Sequence, residues 1–357
     1  MTSRIERIQK TIRARKKFPY FVSSVVNVKY LTGFAGSYAA MVIDRDAIYF
    51  ISDSRYEEYA RKLLPESVNF VLQERDLCTA LKSILKTAGR TRLFLEEHDL
   101  SLSLFNVMKK RMRGTTLVPA GDQINEMRMV KEEGEIAVIA EAVALADRCF
   151  EHIITLAKPG VLEWDLAVEI EYFYRKNGCT KTSFDSIVAS GTGSSMPHYE
   201  TSMTKRIAQG DILLIDMGCV YQGYNSDLTR TVFVGSIAPD FRHIYDTVRR
   251  AQEAAIDAVR PGMTTGRLDA AARRVIADAG CGDRFGHSLG HGVGLEVHEL
   301  PAVRPRGDIR LKKNMVITIE PGIYMPDAGG VRIEDMVVVS PGGCRVLTRA
   351  TKDIVII

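Results

Sequence analysis

The chain has 357 residues, 46% hydrophobic and 26% charged, the mixture of a folded globular protein and not of a largely disordered one. Its 48 Lys and Arg against 44 Asp and Glu leave a formal charge of +4, which gives no ground to expect nucleic acid or an anionic membrane as partner. No run reaches the roughly 18 apolar residues of a membrane span, and the six cysteines are scattered without CxxC spacing, as expected of packing residues in a reduced cytoplasmic protein.

In chain order, Ile5, Ile8 and Ile12 recur at helical spacing in a basic opening segment and predict an amphipathic first helix. The stretch Phe18-Pro-Tyr-Phe-Val-Ser-Ser that follows is an odd one, not counted among the β-rich runs. Short β-rich runs at 39–52, 68–73 and 91–97 are interspersed with helical patterns at 54–64 and 79–89, so residues 1–122 are predicted to form a small α/β domain without a cluster of ligands or nucleophiles. The composition turns polar around Pro119-Ala-Gly-Asp-Gln, and a helical pattern then runs from Glu132 to about Leu156. The boundary is placed here, with a second domain over 125–357.

That second part repeats itself. The unit helix, Lys158-Pro159-Gly160, helix, Gly178-Cys179 recurs as helix, Arg260-Pro261-Gly262, helix, Gly280-Cys281, both landmarks shifted by 102 residues. Each copy continues into β-rich segments that carry acids in similar settings: Asp216 and then Asp227 in the first, Glu320 and then Glu334 in the second. A duplicated α/β half brings equivalent strands together about a pseudo-twofold axis, where four carboxylates point at one another. Such crowding requires a cation. One strand-end acid is equally well explained by a turn or a salt bridge; the duplicated set is not.

Three of the seven histidines lie within His287-Ser-Leu-Gly-His291-Gly-Val-Gly-Leu-Glu-Val-His298, among glycines that let backbone approach a ligand. This stretch can supply one metal ligand and further contacts to substrate or to other ligands; His198 stands apart, without a local partner. Four carboxylates and one imidazole are too many for a single tetrahedral zinc and suit two adjacent divalent ions. Mn(II) is favoured by ligand hardness, and Co(II) or Zn(II) are possible. Such a pair generates a nucleophile at neutral pH and points to hydrolysis of an unactivated bond such as an amide.

The ordered set Asp216 and Asp227 in IDMGCVYQGYNSDLTR, His291 in GHGVGLEVHE, Glu320 in TIEPGIY and Glu334 in GVRIED resembles the pita-bread metallopeptidases, the fold shared by methionine aminopeptidase, aminopeptidase P and prolidase. The resemblance implies that these five are the dinuclear ligands, with Asp227 and Glu334 bridging. In the first domain, Asn27-Val-Lys-Tyr-Leu-Thr-Gly-Phe and Ser52-Asp-Ser-Arg-Tyr are similar to the amino-terminal domain of aminopeptidase P and prolidase. The fold implied is α/β, a creatinase-like first domain followed by a duplicated pita-bread domain.

What the resemblance implies for function is cleavage of peptides whose second residue is proline, at the bond before it. Glu320 would act as general base, His198 and His298 would contact the substrate carbonyl, and His287 and Arg332 would sit behind them, Arg332 pairing with a ligand carboxylate. Some prolidases carry an arginine just after the HE-x-P segment to clamp the free carboxylate of a dipeptide. Here that position is Ala302, which points to aminopeptidase P activity on longer peptides, with Xaa-Pro dipeptidase as the alternative and Arg304 as another possible clamp. A non-catalytic peptide-binding relative and a metal-free creatinase-like hydrolase are the remaining readings, both at odds with five retained ligands. A homodimer is expected on the same resemblance.

Overall fold

The computed structural model describes residues 3–357, and the chain falls into two compact units, Met1–Arg128 and Met129–Ile357. In the first, α1 (Arg4–Ala14) opens on a capping box in which Ser3 and Glu6 each accept from the other's amide, and it buries Ile5, Ile8 and Ile12. There follow β1 (Tyr20–Val22), α2 (Val25–Thr32), β2 (Ala40–Ile43), β3 (Ile48–Ser52), α3 (Glu57–Leu63), β4 (Val68–Leu72), α4 (Leu77–Thr87), β5 (Arg92–Leu95), α5 (Leu102–Arg111), β6 (Thr116–Pro119) and α6 (Gln123–Arg128). The strands form one mixed sheet in the order β4-β3-β2-β1-β5-β6. The odd stretch after the first helix supplies one of its two central strands. β1 pairs antiparallel with β2 and parallel with β5, and all three of its residues are buried. A strand buried on both faces shows no alternation, which is why periodicity did not reveal it.

The first unit runs past residue 122 to include α6, whose Gln123, Ile124 and Arg128 are buried. Lys17 Nζ donates to the Ala120 carbonyl at 2.6 Å and Arg15 reaches Glu126 at 3.0 Å, so the polar composition near Pro119 marks a turn inside this unit.

The second unit shows the duplication directly. Its first half holds α7 (Glu133–Leu156), α8 (Glu163–Lys176), β7 (Lys181–Thr182), β8 (Ile187–Ser190), β9 (Ile212–Met217), β10 (Cys219–Tyr221), β11 (Tyr224–Asn225) and β12 (Leu228–Phe233). Its second holds α9 (Pro239–Ala258), α10 (Thr265–Asp278), β13 (Gly290–Gly292), β14 (Glu299–Val303), β15 (Val316–Ile319), β16 (Gly322–Met325), β17 (Gly329–Arg332), β18 (Asp335–Ser340) and β19 (Gly343–Val346). α8 and α10 each have 14 residues and start 102 positions apart, the offset seen in the sequence. The order β8-β9-β12 in one sheet matches β13-β15-β18 in the other, all antiparallel. Apolar side chains from the long helices fill the space behind each sheet, Phe150, Ile153 and Ile170 in one cluster and Val248, Leu268 and Ile276 in the other. No described helix is long and apolar enough to cross a membrane, and all six cysteines are free.

Candidate metal centre and its cleft

Each half puts two acids at one end of a strand pair. Asp216 lies in β9 opposite Thr229 of β12, and Asp227 immediately precedes β12; Glu320 immediately follows β15, and Glu334 immediately precedes β18, whose Asp335 pairs with Ile319. The connecting hairpins are β10–β11 in the first copy and β16–β17 in the second. Close backbone passage makes this possible: a Cβ on Gly218 would stand 2.0 Å from the Ser226 carbonyl oxygen.

These four acids and His291 line one cleft of about 460 Å³ with His198, His287, His298, Ala302 and Arg332. Asp227, His291 and Glu334 each offer a ligand atom within 4.8 Å of the others. His291 is held in one tautomer: Nδ1 faces the Gly292 carbonyl at 3.1 Å, which can only accept, so Nδ1 carries the hydrogen. The Nε2 lone pair is thereby aimed at Glu320 Oε1 at 3.3 Å and Asp227 Oδ2 at 3.6 Å. A lone pair facing two carboxylates is stable only if a proton or a cation stands among them, and a backbone carbonyl on the far nitrogen is how metal-binding imidazoles are set.

The carboxylates lead to the same conclusion. Glu334 Oε2 accepts from Thr229 Oγ1 at 2.7 Å, and Asp216 Oδ2 accepts from Arg332 Nη2 at 2.6 Å, yet Glu334 Oε1 and Asp216 Oδ1 are buried with no protein partner. Burial, then the neighbouring carboxylates, push Asp227 and Glu334 well above the usual carboxylate range, and burial raises Asp216 against the pull of Arg332. Burial also opposes ionisation of Glu320, but His291 and Arg332 overcome it and hold that carboxyl low. The same contact lifts His291 although burial works against its charged form. Crowded hard oxygens, two of them orphaned, with one oriented imidazole nitrogen fit divalent cations.

Behind the acids runs a hydrogen-bonded chain that joins Arg332 and His287, both named from the sequence, through Tyr324, which was not. Arg332 Nε donates to Thr229 Oγ1 at 3.1 Å, and Nη1 donates to Tyr324 Oη at 2.8 Å and to the Pro197 carbonyl at 3.3 Å. His287 Nδ1 donates to the Ser288 carbonyl at 2.8 Å, so Nε2 accepts from Tyr324 Oη at 2.9 Å. His287 is thus neutral, in line with a pKa lowered by burial. Tyr324 stood in the quoted TIEPGIY segment but has no spacing rule to give it a role. On the open side, His298 packs edge-on against His291 with centroids 4.3 Å apart and is kept below its ordinary pKa by burial and by that neighbour. His198 reaches the cleft from the 196–199 turn, while Arg304 is exposed and does not line it.

Residues 137–341 match the profile of Metallopeptidase family M24, and residues 4–130 that of the Creatinase/Prolidase N-terminal domain. The chain belongs to metallopeptidase family M24. It is therefore a metal-dependent hydrolase of pita-bread fold. Among M24 relatives, a Xaa-Pro dipeptidase of Pyrococcus furiosus is 37% identical over 99% of this chain and 100% of its own. The structure of a Xaa-Pro dipeptidase from Bacillus anthracis superimposes with a TM-score of 0.95 at 35% identity, over 99% of both chains. An X-Pro aminopeptidase from Thermotoga maritima gives 0.90 at 36%, over 99% of this chain and 100% of that one. The relatives support the dipeptidase alternative better than the aminopeptidase P reading drawn from Ala302.

Proposed function

We propose that this M24 chain is a Xaa-Pro dipeptidase. The carrying observation is that its whole length aligns with the whole length of a Xaa-Pro dipeptidase. In this reading Asp216, Asp227, His291, Glu320 and Glu334 hold two divalent ions, manganese first among candidates because the donors are mostly hard oxygens. When bound, such ions supply Lewis acidity toward the scissile carbonyl and a nucleophile at neutral pH. Glu320, held ionised, accepts the proton released on attack and returns it to the proline nitrogen. His198 and His298 on the open wall donate to the carbonyl oxygen of residue one as it gains charge. Arg332, braced by Tyr324 and Thr229, keeps Asp216 aligned. The homodimer and the cytoplasmic setting expected from sequence belong to this proposal.

One observation favours the second reading, an aminopeptidase that takes longer peptides. Ala302 lines the cleft without a charge, and the arginine that does line it, Arg332, is engaged by Asp216 and Tyr324. A Xaa-Pro dipeptide and a Xaa-Pro-Yaa tripeptide offered side by side with Mn(II) decide it. The dipeptide is expected to show the higher kcat/KM; cleavage of the tripeptide alone would reverse the assignment.

A further inference from the structure

Glu163 opens α8 and is fully buried, yet it is not part of the cleft. A carboxylate in that position is costly unless each oxygen is satisfied. Its Oε1 accepts from the Ser190 amide at 2.7 Å and the Ser190 hydroxyl at 2.6 Å. Its Oε2 accepts from Tyr199 Oη at 2.9 Å and the Ser202 amide at 3.2 Å, and Lys205 Nζ lies 3.6 Å from Oε1. One side chain thus gathers the end of β8 and the segment 199–205.

The position of that segment gives the network a role beyond packing. His198 makes no hydrogen bond to a described residue, and its neighbours on both sides are tied down. The Pro197 carbonyl accepts from Arg332, and Tyr199 donates to Glu163. Tyr199 is also fixed by its surroundings, since a Cβ on Gly193 would lie 2.9 Å from its ring. Burial and the Glu163 charge push the phenol up to about 12, so it remains a donor across the physiological range. Four residues before His198, Ser194 Oγ accepts from the Gly330 amide at 2.9 Å and anchors the same loop to β17.

We propose that Glu163, acting through Tyr199, is the positioning residue that holds His198 in the cleft. The proposal rests on the reading above in which His198 donates to the substrate carbonyl. A histidine without a bond of its own takes its place from its backbone, and releasing one side of that backbone displaces the ring. Tyr199→Phe removes a single hydrogen bond and leaves Glu163 three other donors, so folding is retained even where Glu163→Gln fails to fold.

Tyr199→Phe is expected to lower kcat/KM on a Xaa-Pro dipeptide about ten- to a hundredfold, chiefly through kcat, since a displacement near 1 Å costs on that order. Metal content should be unchanged, and the substitution should cost nothing further in a His198→Ala background. An unchanged kcat/KM in the single variant, or the same loss in the His198→Ala background, overturns the proposal. If His198→Ala itself retains full turnover, the role of His198 in the reaction is wrong. Positioning is then judged from the ¹⁵N-imidazole resonances of the zinc-loaded protein. Tyr199→Phe should shift and broaden the His198 signal, and an unmoved signal would overturn positioning independently of activity.

Discussion

Asp335→Asn should destabilise the catalytic unit by about 3–5 kcal/mol, the cost of leaving one member of a buried ion pair without its partner. Asp335 and Arg230 meet at 2.7 Å with 1% of each side chain exposed. The other Asp335 oxygen accepts from Gln252 at 2.8 Å and Lys352 at 3.0 Å, while Arg230 also donates to the carbonyls of Ala350, Thr351 and Glu334. Removing the negative charge therefore strands a guanidinium and an ammonium beneath Glu334. Arg249 and Asp353 provide the control: they meet at 2.8 Å, but at 37% and 79% exposure, so Asp353→Asn should cost no more than about 1 kcal/mol. Burial opposes the charge on Asp335, yet Arg230 and Lys352 overcome it and hold its pKa below the ordinary range. A depressed carboxyl stabilises fully above its unfolded value of about 3.9 and loses that contribution as pH falls through the folded value, so the gap between wild type and Asp335→Asn should close in strong acid. Urea unfolding of metal-stripped protein measures both. A cost for Asp335→Asn no greater than that for Asp353→Asn would refute the reasoning.

Further outcomes follow from the site. Tyr324→Phe leaves His287 Nε2 and one Arg332 N–H without their shared partner and should weaken metal binding about 10- to 100-fold in a Mn(II) titration; unchanged affinity would remove Tyr324 from the support of Asp216. Gly218→Ala places a Cβ against the Ser226 carbonyl just before Asp227, so strand spreading should cost about 1–3 kcal/mol in urea and lower metal content. Without metal, the raised pKa values of Asp227 and Glu334 contribute stability that is fully present below about 4 and lost as pH rises through their folded values. Denaturation midpoints of stripped protein should therefore fall from pH 5 to 8 relative to the Mn(II)-loaded protein, and parallel curves would contradict this.

Much of the site could be read from residues because a duplication leaves two copies of each landmark. The 102-residue offset predicted the paired helices, and the repeated strand-end acids predicted which strands converge. The supporting residues were hidden for a physical reason. Glu163 looks like any acid in a first helical turn, Tyr324 like any aromatic in a hairpin, and Asp335 like the neighbour of a ligand. Their partners Tyr199, His287 and Arg230 lie 36, 37 and 105 residues away. Spacing rules describe local geometry and cannot find such pairs. β1 stood out only as an odd stretch and not as a β-rich run because a doubly buried strand has no polar face. Ala302 illustrates the opposite error, a single position asked to decide specificity without the rest of the cleft.

The most direct test is metal stoichiometry by mass spectrometry, joined to anomalous diffraction from crystals grown with Mn(II). Two ions per chain are expected, both between Asp216, Asp227, His291, Glu320 and Glu334, with Asp227→Asn losing metal while remaining folded. Manganese bound elsewhere, or full hydrolysis of a Xaa-Pro dipeptide by protein shown to be free of metal, would contradict it.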